Sequence, residues 1–210
     1  HSPPSASFFM EQRMDITRFC APGDIRYYLH RPMRHEGYLY ATTGHIAVRI
    51  EDDPAIEAEP MPANLQNGVL QNMATDTTER AWHPVPQVNS ESAETCRHCD
   101  GTGRAVKCPD CDGYGDFEHG DHMYECKACD ASGWVAAPSK DVGEKCLDCC
   151  GSGLSWQETV NFDGVHIAAR YIHLIGTEIP GAEIGISKDP TGIQLFRAPG
   201  IVGCVMPMRV

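Results

Sequence analysis

Cys96-Arg-His-Cys99-Asp-Gly101-Thr-Gly103 is the first of four copies of one pattern. The others are Cys108-Pro-Asp-Cys111-Asp-Gly113-Tyr-Gly115, Cys126-Lys-Ala-Cys129-Asp-Ala131-Ser-Gly133 and Cys146-Leu-Asp-Cys149-Cys150-Gly151-Ser-Gly153. The shared form is C-x-x-C-x-G-x-G, broken once, at Ala131. Two cysteines three positions apart aim both sulfurs at one point when the chain turns sharply around them, and the glycines permit that turn. Each repeat is then half of a tetrahedral site, so four repeats make two four-cysteine sites. Zinc suits four thiolates and is inert to redox change. Rubredoxin-like iron ligation, disulfides or redox C-x-x-C pairs are the alternatives, but a redox pair usually stands alone at a helix start. Spacing does not fix which repeats share a metal, and Cys150 is a candidate competing ligand.

The chain has 210 residues, 41% of them hydrophobic and 22% charged, which supports a packed core. It carries 17 Lys+Arg against 29 Asp+Glu, a net charge of −12. Such a field repels phosphates and argues against nonspecific binding of polyanions. Eight zinc-bound thiolates and two Zn2+ would take the formal net charge from −12 to −16. Residues 94–154 hold 12 acids and 6 bases and few large apolar side chains, so metal should supply most of their stability. No apolar run is long enough to cross a membrane and no secretory leader opens the sequence, which leads us to expect a cytoplasmic protein.

The four repeats resemble the cysteine-rich zinc domain of DnaJ-type co-chaperones. That resemblance implies a nested arrangement, with Cys96, Cys99, Cys146 and Cys149 around one Zn2+ and Cys108, Cys111, Cys126 and Cys129 around the other. The linkers of 4, 10 and 12 residues between successive repeats agree with nesting. The chain has no His-Pro-Asp loop, which such a co-chaperone needs to stimulate its ATPase partner; His83-Pro84-Val85 is its nearest approach.

The flanks read differently. Residues 8–20 have helix-like spacing of Phe9, Met10, Arg13, Met14, Thr17 and Arg18, stopped by Pro22-Gly23. Asp24–Leu29 and Tyr38–Ile50 read as strands, Asn64–Met73 as a short helix, and Trp82–Val88 and Ser155–Phe162 as strands that pair across the repeats. Val165–Ile175 reads as a helix, followed by strands at Ala182–Ser187, Gly192–Phe196 and Gly203–Met208. The expected fold class is α+β: one discontinuous domain of two helix-plus-strands halves (1–93 and 155–210) with the two-zinc, cysteine-rich hairpin module inserted at 94–154.

Gly23-Asp-Ile-Arg-Tyr-Tyr-Leu29, Tyr40-Ala-Thr-Thr-Gly-His-Ile-Ala-Val48 and Val205-Met-Pro-Met-Arg-Val210 resemble stretches of the bacterial DNA sliding clamp. Thr43 replaces that family's acid, and one residue is missing after His45. The flanks amount to one clamp domain, where a clamp subunit has three. By matching position the resemblance implies a peptide-binding groove at Thr42, Gly44, His45, Met206, Pro207, Met208 and Arg209. It also implies DNA-facing Arg13, Arg18 and Arg170.

Ten histidines form no H-E-x-x-H, and no G-x-S-x-G or phosphate-cradling loop is present. A closed site of four cysteines leaves no open position for a catalytic water. We therefore expect a non-enzymatic zinc protein that binds a protein or unfolded peptide. The alternatives are a DNA-associated clamp-like accessory factor, and thiol–disulfide or chaperone-like chemistry.

Overall fold

The computed structural model describes residues 14–209 except positions 23, 67, 69, 71, 72, 74, 77, 90 and 92. The chain enters through a 3-10 turn at Ile16–Phe19, capped by the Asp15 carboxylate on the Thr17 N–H, and a second at Tyr27–Leu29. Strands β1 (Met33–His35), β2 (Tyr38–Thr42) and β3 (Ile46–Glu51) form an antiparallel meander. Glu36 and Gly37 both take positive φ between β1 and β2, as a tight hairpin turn requires. β4 (Glu59–Pro60) adds parallel to β1, and β5 (Arg80–Pro84) precedes the cysteine-rich segment.

That segment contains β6 (Glu94–Thr95), β7 (Arg104–Lys107), β8 (Asp116–His119), β9 (His122–Glu125), β10 (Trp134–Ala136), β11 (Glu144–Lys145) and β12 (Leu154–Ser155). The chain then makes the hairpin β13 (Thr159–Phe162) and β14 (Val165–Ala168), helix α1 (Ala169–Glu178), and strands β15 (Glu183–Ser187), β16 (Gln194–Ala198) and β17 (Ile201–Val205). Eight strands join in the order β4-β1-β2-β3-β17-β16-β15-β5.

Period-two alternation sends side chains of this sheet into two cores. Leu39, Ala41, Ile46, Val48, Phe196 and Val205 pack with Ile16, Phe19 and the inner face of α1 (Tyr171, Ile172, Leu174, Ile175). Their neighbours Tyr40, Ala47, Leu195 and Cys204 turn to the opposite face, onto Met33, Met61, Leu70 and Met73. Gly203 sits where the Phe196 ring crosses β17: a Cβ there would lie 2.0 Å from the ring edge.

The architecture is mixed α+β and mostly strand, with one α-helix among the described residues. Several sequence expectations are corrected. The helix over 8–20 lies largely outside the described residues, Arg13 included, and the described part is the 3-10 turn. Asp24–Leu29 is no strand. The Asp24 carboxylate accepts from the Arg26 N–H, Nε and Nη2, each at 2.8 Å, and this clasp curls the chain. Of Asn64–Met73, the structure describes a 3-10 turn at Ala63–Leu65 and only some later positions. Tyr38–Ile50 is two strands hinged at Thr43-Gly44. Val165–Ile175 starts as β14 before becoming helical. Residues 82–88 and 155–162 do not pair: β5 runs along β15 and β13 along β14, while β6 and β12 join the two ends of the cysteine-rich segment.

Candidate metal centres

All eight repeat cysteines are buried, and they gather in two groups of four. One is Cys96, Cys99, Cys146 and Cys149; the other is Cys108, Cys111, Cys126 and Cys129. Within each group the sulfurs lie within 4.8 Å of one another. The closer contacts are Cys96–Cys146 at 3.9 Å and Cys99–Cys149, Cys108–Cys126 and Cys111–Cys129 at 3.8 Å. Four sulfurs each about 2.3 Å from a central ion sit about 3.8 Å apart at tetrahedral corners, so the spacing fits a metal. It is far from the roughly 2.05 Å of a disulfide, and all eleven thiols are free.

The four repeats build these centres in the same way. The N–H of Gly101, Gly113, Ala131 and Gly151 donates to the carbonyl of its repeat's first cysteine, closing a tight turn. Asp100, Asp112, Asp130 and Cys150 take positive φ, and so does each following residue. Ala131 holds φ +60° without glycine's freedom. The last glycine of each repeat then donates its N–H to the second sulfur, at 3.2–3.3 Å for Gly103, Gly115, Gly133 and Gly153.

Pairing is written in the backbone as well. Cys96 N donates to Gly153 O at 3.0 Å, and Cys146 N donates to Gly103 O at 2.9 Å. Cys108 N donates to Gly133 O at 2.8 Å, and Cys126 N donates to Gly115 O at 2.9 Å. Repeats one and four thus clasp each other reciprocally, and so do repeats two and three. The closing glycines lie so near the partner repeat that a Cβ on Gly115 would stand 2.2 Å from Ala131 O.

Four thiolates cannot share a buried pocket without a cation. A hydrogen bond from the Cys146 thiol, against the burial that opposes it, draws Cys149 down to about 5, helped by the N–H groups of Gly153 and Gly151. Cys146 is pushed far up in exchange. The donor set asks for a soft divalent ion that lets every sulfur ionise. The remaining thiols behave otherwise. Burial pushes Cys20 and Cys204 up to about 12 and raises Cys150, so none has a reactive thiolate character. Cys150 turns away from the metal group into the main core.

The first centre is tied to the sheet domain. The Lys145 ammonium, next to Cys146 in sequence, donates to Arg18 O at 2.6 Å and to Cys20 O. Arg170 Nη1 on α1 donates to Asp148 O at 3.2 Å, and Cys150 joins the core packed by α1. Sequence reasoning missed this anchor; the one signal was a lysine set against a metal ligand in an acidic segment. The second centre packs instead on Val135 of its own segment. Between the centres, a cleft of 680 Å³ is lined by Arg97, His98, Trp134, Asp148, Trp156 and Arg170, with His98 3.0 Å from Asp148.

Of the expected groove residues, His45 and Met206 are joined through the backbone. Val205 pairs with Ile46, and Met206 N donates to His45 O at 2.8 Å. Thr42 is buried, bonding Ile46 O at 2.8 Å and receiving the Gly44 N–H at 2.9 Å. Met206 and Met208 are each 49% exposed, Met208 N donates to His166 O at 2.7 Å, Pro207 lies between them, and Arg209 is exposed. Arg13 lies outside the described residues, and the other two arginines expected to face DNA make intramolecular contacts. Arg18 pairs with Glu178 at 3.3 Å, and Arg170 is held over the Tyr171 ring at 4.8 Å and against Asp148 O.

No protein family matches the sequence, and no curated protein matches it. Solved structures that resemble this chain are of bacterial beta sliding clamps, at low TM-scores. "Caulobacter crescentus pol III beta" shares 16% identity at a TM-score of 0.41, covering 95% of this chain and 63% of that one. A C. crescentus beta sliding clamp crystallised with PEG shares 17% identity at 0.41, with the same 95% and 63% coverage. The chain thus spans less than two thirds of those clamp chains.

Proposed function

We propose that this chain is a non-enzymatic, zinc-dependent interaction protein that binds a polypeptide partner, with two structural Zn2+ holding the segment at 94–154 as a rigid presenting surface. The observation that supports this reading most directly is the pair of closed four-thiol groups, each completed by reciprocal backbone clasps between two repeats. Such a site spends all its coordination positions on protein and leaves none for substrate. The repeats resemble DnaJ-type zinc domains, whose role this reading extends to the present chain without an ATPase-stimulating function. The Met206-Pro207-Met208 edge beside His45 offers a second exposed apolar surface for the same class of partner.

Other readings find less support. Thiol–disulfide chemistry would need an accessible thiolate, and the three thiols outside the groups are buried with raised pKa values. DNA association is disfavoured by the net charge of −12, and Arg18 and Arg170 are committed to intramolecular contacts. Metal analysis beside thiol titration tests the first half of the proposal: two zinc ions and three chelator-insensitive free thiols per chain are expected, with no visible charge-transfer absorption from iron. Metal-free protein with crosslinked cysteines would overturn it. The second half is tested by crosslinking the zinc-loaded chain to polypeptides in solution, where a complete lack of adducts would overturn partner binding.

A further inference from the structure

The ribbon β8–β9 is a two-stranded sheet by itself, joined to the second metal group by the Cys126 N–H on Gly115 O at 2.9 Å. A lone hairpin is marginal in water, so the knuckles on either side must hold it in place. Every residue of both strands is exposed. The register pairs Asp116 with Glu125, Phe117 with Tyr124, Glu118 with Met123 and His119 with His122. Alternation therefore sorts the side chains completely. One face carries four rings: Phe117, His119, His122 and Tyr124. The other carries three carboxylates and Met123.

The rings contact one another. Phe117 stacks on Tyr124 with centroids 6.1 Å apart, and His119 and His122 approach the same tyrosine at 6.5 and 6.4 Å. Phe117 remains 48% exposed and Tyr124 45%. Directly opposed like charges such as Asp116 and Glu125 destabilise an isolated ribbon. No lysine or arginine lies between Gly115 and Cys126 to offset them. An aromatic face backed by uncompensated carboxylates is complementary to cations that carry apolar stems.

We propose that β8–β9 is a docking ribbon for an extended basic segment of a partner protein. The segment adds along an open edge of the ribbon, lays Arg or Lys side chains over Phe117 and Tyr124, and neutralises Asp116, Glu118 and Glu125. Strand addition supplies backbone hydrogen bonds, and the ring face and carboxylates select the side chains. This rests on the polypeptide-binding reading above and names its surface and chemistry.

The test uses the full zinc-loaded chain and a fluorescein-labelled peptide of Arg-Arg-Thr-Thr repeats, which presents arginine to both faces of an added strand, with a twin in which Glu replaces Arg. Fluorescence anisotropy should show binding of the basic peptide and none of the acidic one. Phe117→Ser/Tyr124→Ser keeps the net charge and the metal ligands. It should weaken binding about tenfold, the loss expected for two cation–ring contacts, at unchanged zinc content. Glu118→Gln/Glu125→Gln should weaken it too. Equal binding by the ring variant and the parent would overturn the proposal, since it would mean only diffuse attraction to an acidic protein. So would preferential binding of a single-stranded oligonucleotide, or self-association through the ribbon. Crosslinks to polypeptides that map elsewhere, to Met206 and Met208 for instance, would overturn the ribbon while leaving partner binding intact; no polypeptide adduct at all would overturn both.

Discussion

Removing one sulfur from each metal group should have unequal consequences. Cys146→Ser opens the centre whose 145–150 segment also carries Lys145, Asp148 and Cys150, and Cys126→Ser opens the centre that packs within its own segment. Loss of the first metal frees Lys145 from two buried carbonyls and loosens Arg170 from Asp148 O. Charge-assisted hydrogen bonds contribute about 1.5–3 kcal/mol each when buried; discounting for the half-exposed Arg170 and for partial retention leaves about 3 kcal/mol. For a chain of this size, that lowers the melting temperature of the sheet domain by about 6–12 °C. Hydrogen exchange on α1 and β3 reports the domain itself, while a chromogenic chelator counts metal. Cys146→Ser should lose one zinc and speed exchange in α1 and the Ile16–Phe19 turn. Cys126→Ser should lose one zinc and leave those amides protected. Equal destabilisation by both variants, or none by either, would refute the argument that the first centre is an anchor.

Further outcomes follow from single positions. Ala131 holds positive φ at +60°, which costs an L-residue about 1–2 kcal/mol, so Ala131→Gly should tighten metal binding at the second centre about five- to thirtyfold in a chelator competition. Gly203→Ala drives a methyl into the Phe196 ring and should destabilise by about 1–3 kcal/mol in urea unfolding, more if Phe196 cannot shift. Burial raises Cys204 from 9.0 to about 12; the unfolded chain therefore loses this proton first, and the stability linked to the thiol is intact below pH 9.0 and drains away as pH rises towards 12. Urea midpoints of Cys204→Ala should accordingly fall less steeply over that range than those of the parent.

The cysteine repeats were readable because their geometry is local: each turn is set by the two cysteines and the residues just after them. The nested pairing came from a family resemblance, and the reciprocal bonds of Cys96 with Gly153 and Cys108 with Gly133 supply its physical basis. Strands rich in Val, Ile and Tyr were also legible at Tyr38–Glu51 and at Glu183–Val205. Asp24–Leu29 misled because Ile25, Tyr27 and Tyr28 favour strands, while the Asp24–Arg26 clasp, a contact between polar side chain and backbone, overrides that preference. The expected pairing of 82–88 with 155–162 failed for a different reason. Closing the cysteine-rich segment needs only β6 and β12, which leaves β5 free to take the far edge of the large sheet. No pattern within either stretch encodes that choice. Lys145 was invisible for the same reason, since its partners lie more than a hundred residues upstream.

The nesting of the two centres also dictates an order of assembly. Cys108 and Cys126 are 18 positions apart, Cys96 and Cys146 are 50. Closing the longer loop first would forfeit about 0.9 kcal/mol more chain entropy than closing the shorter one. Once the inner loop is cinched, pairing of β7 with β10 and then with β11 brings the outer repeats towards each other. Metallation should therefore zip from the tip towards the root, so that the sheet domain receives its Lys145 pin last, as the closing step of maturation.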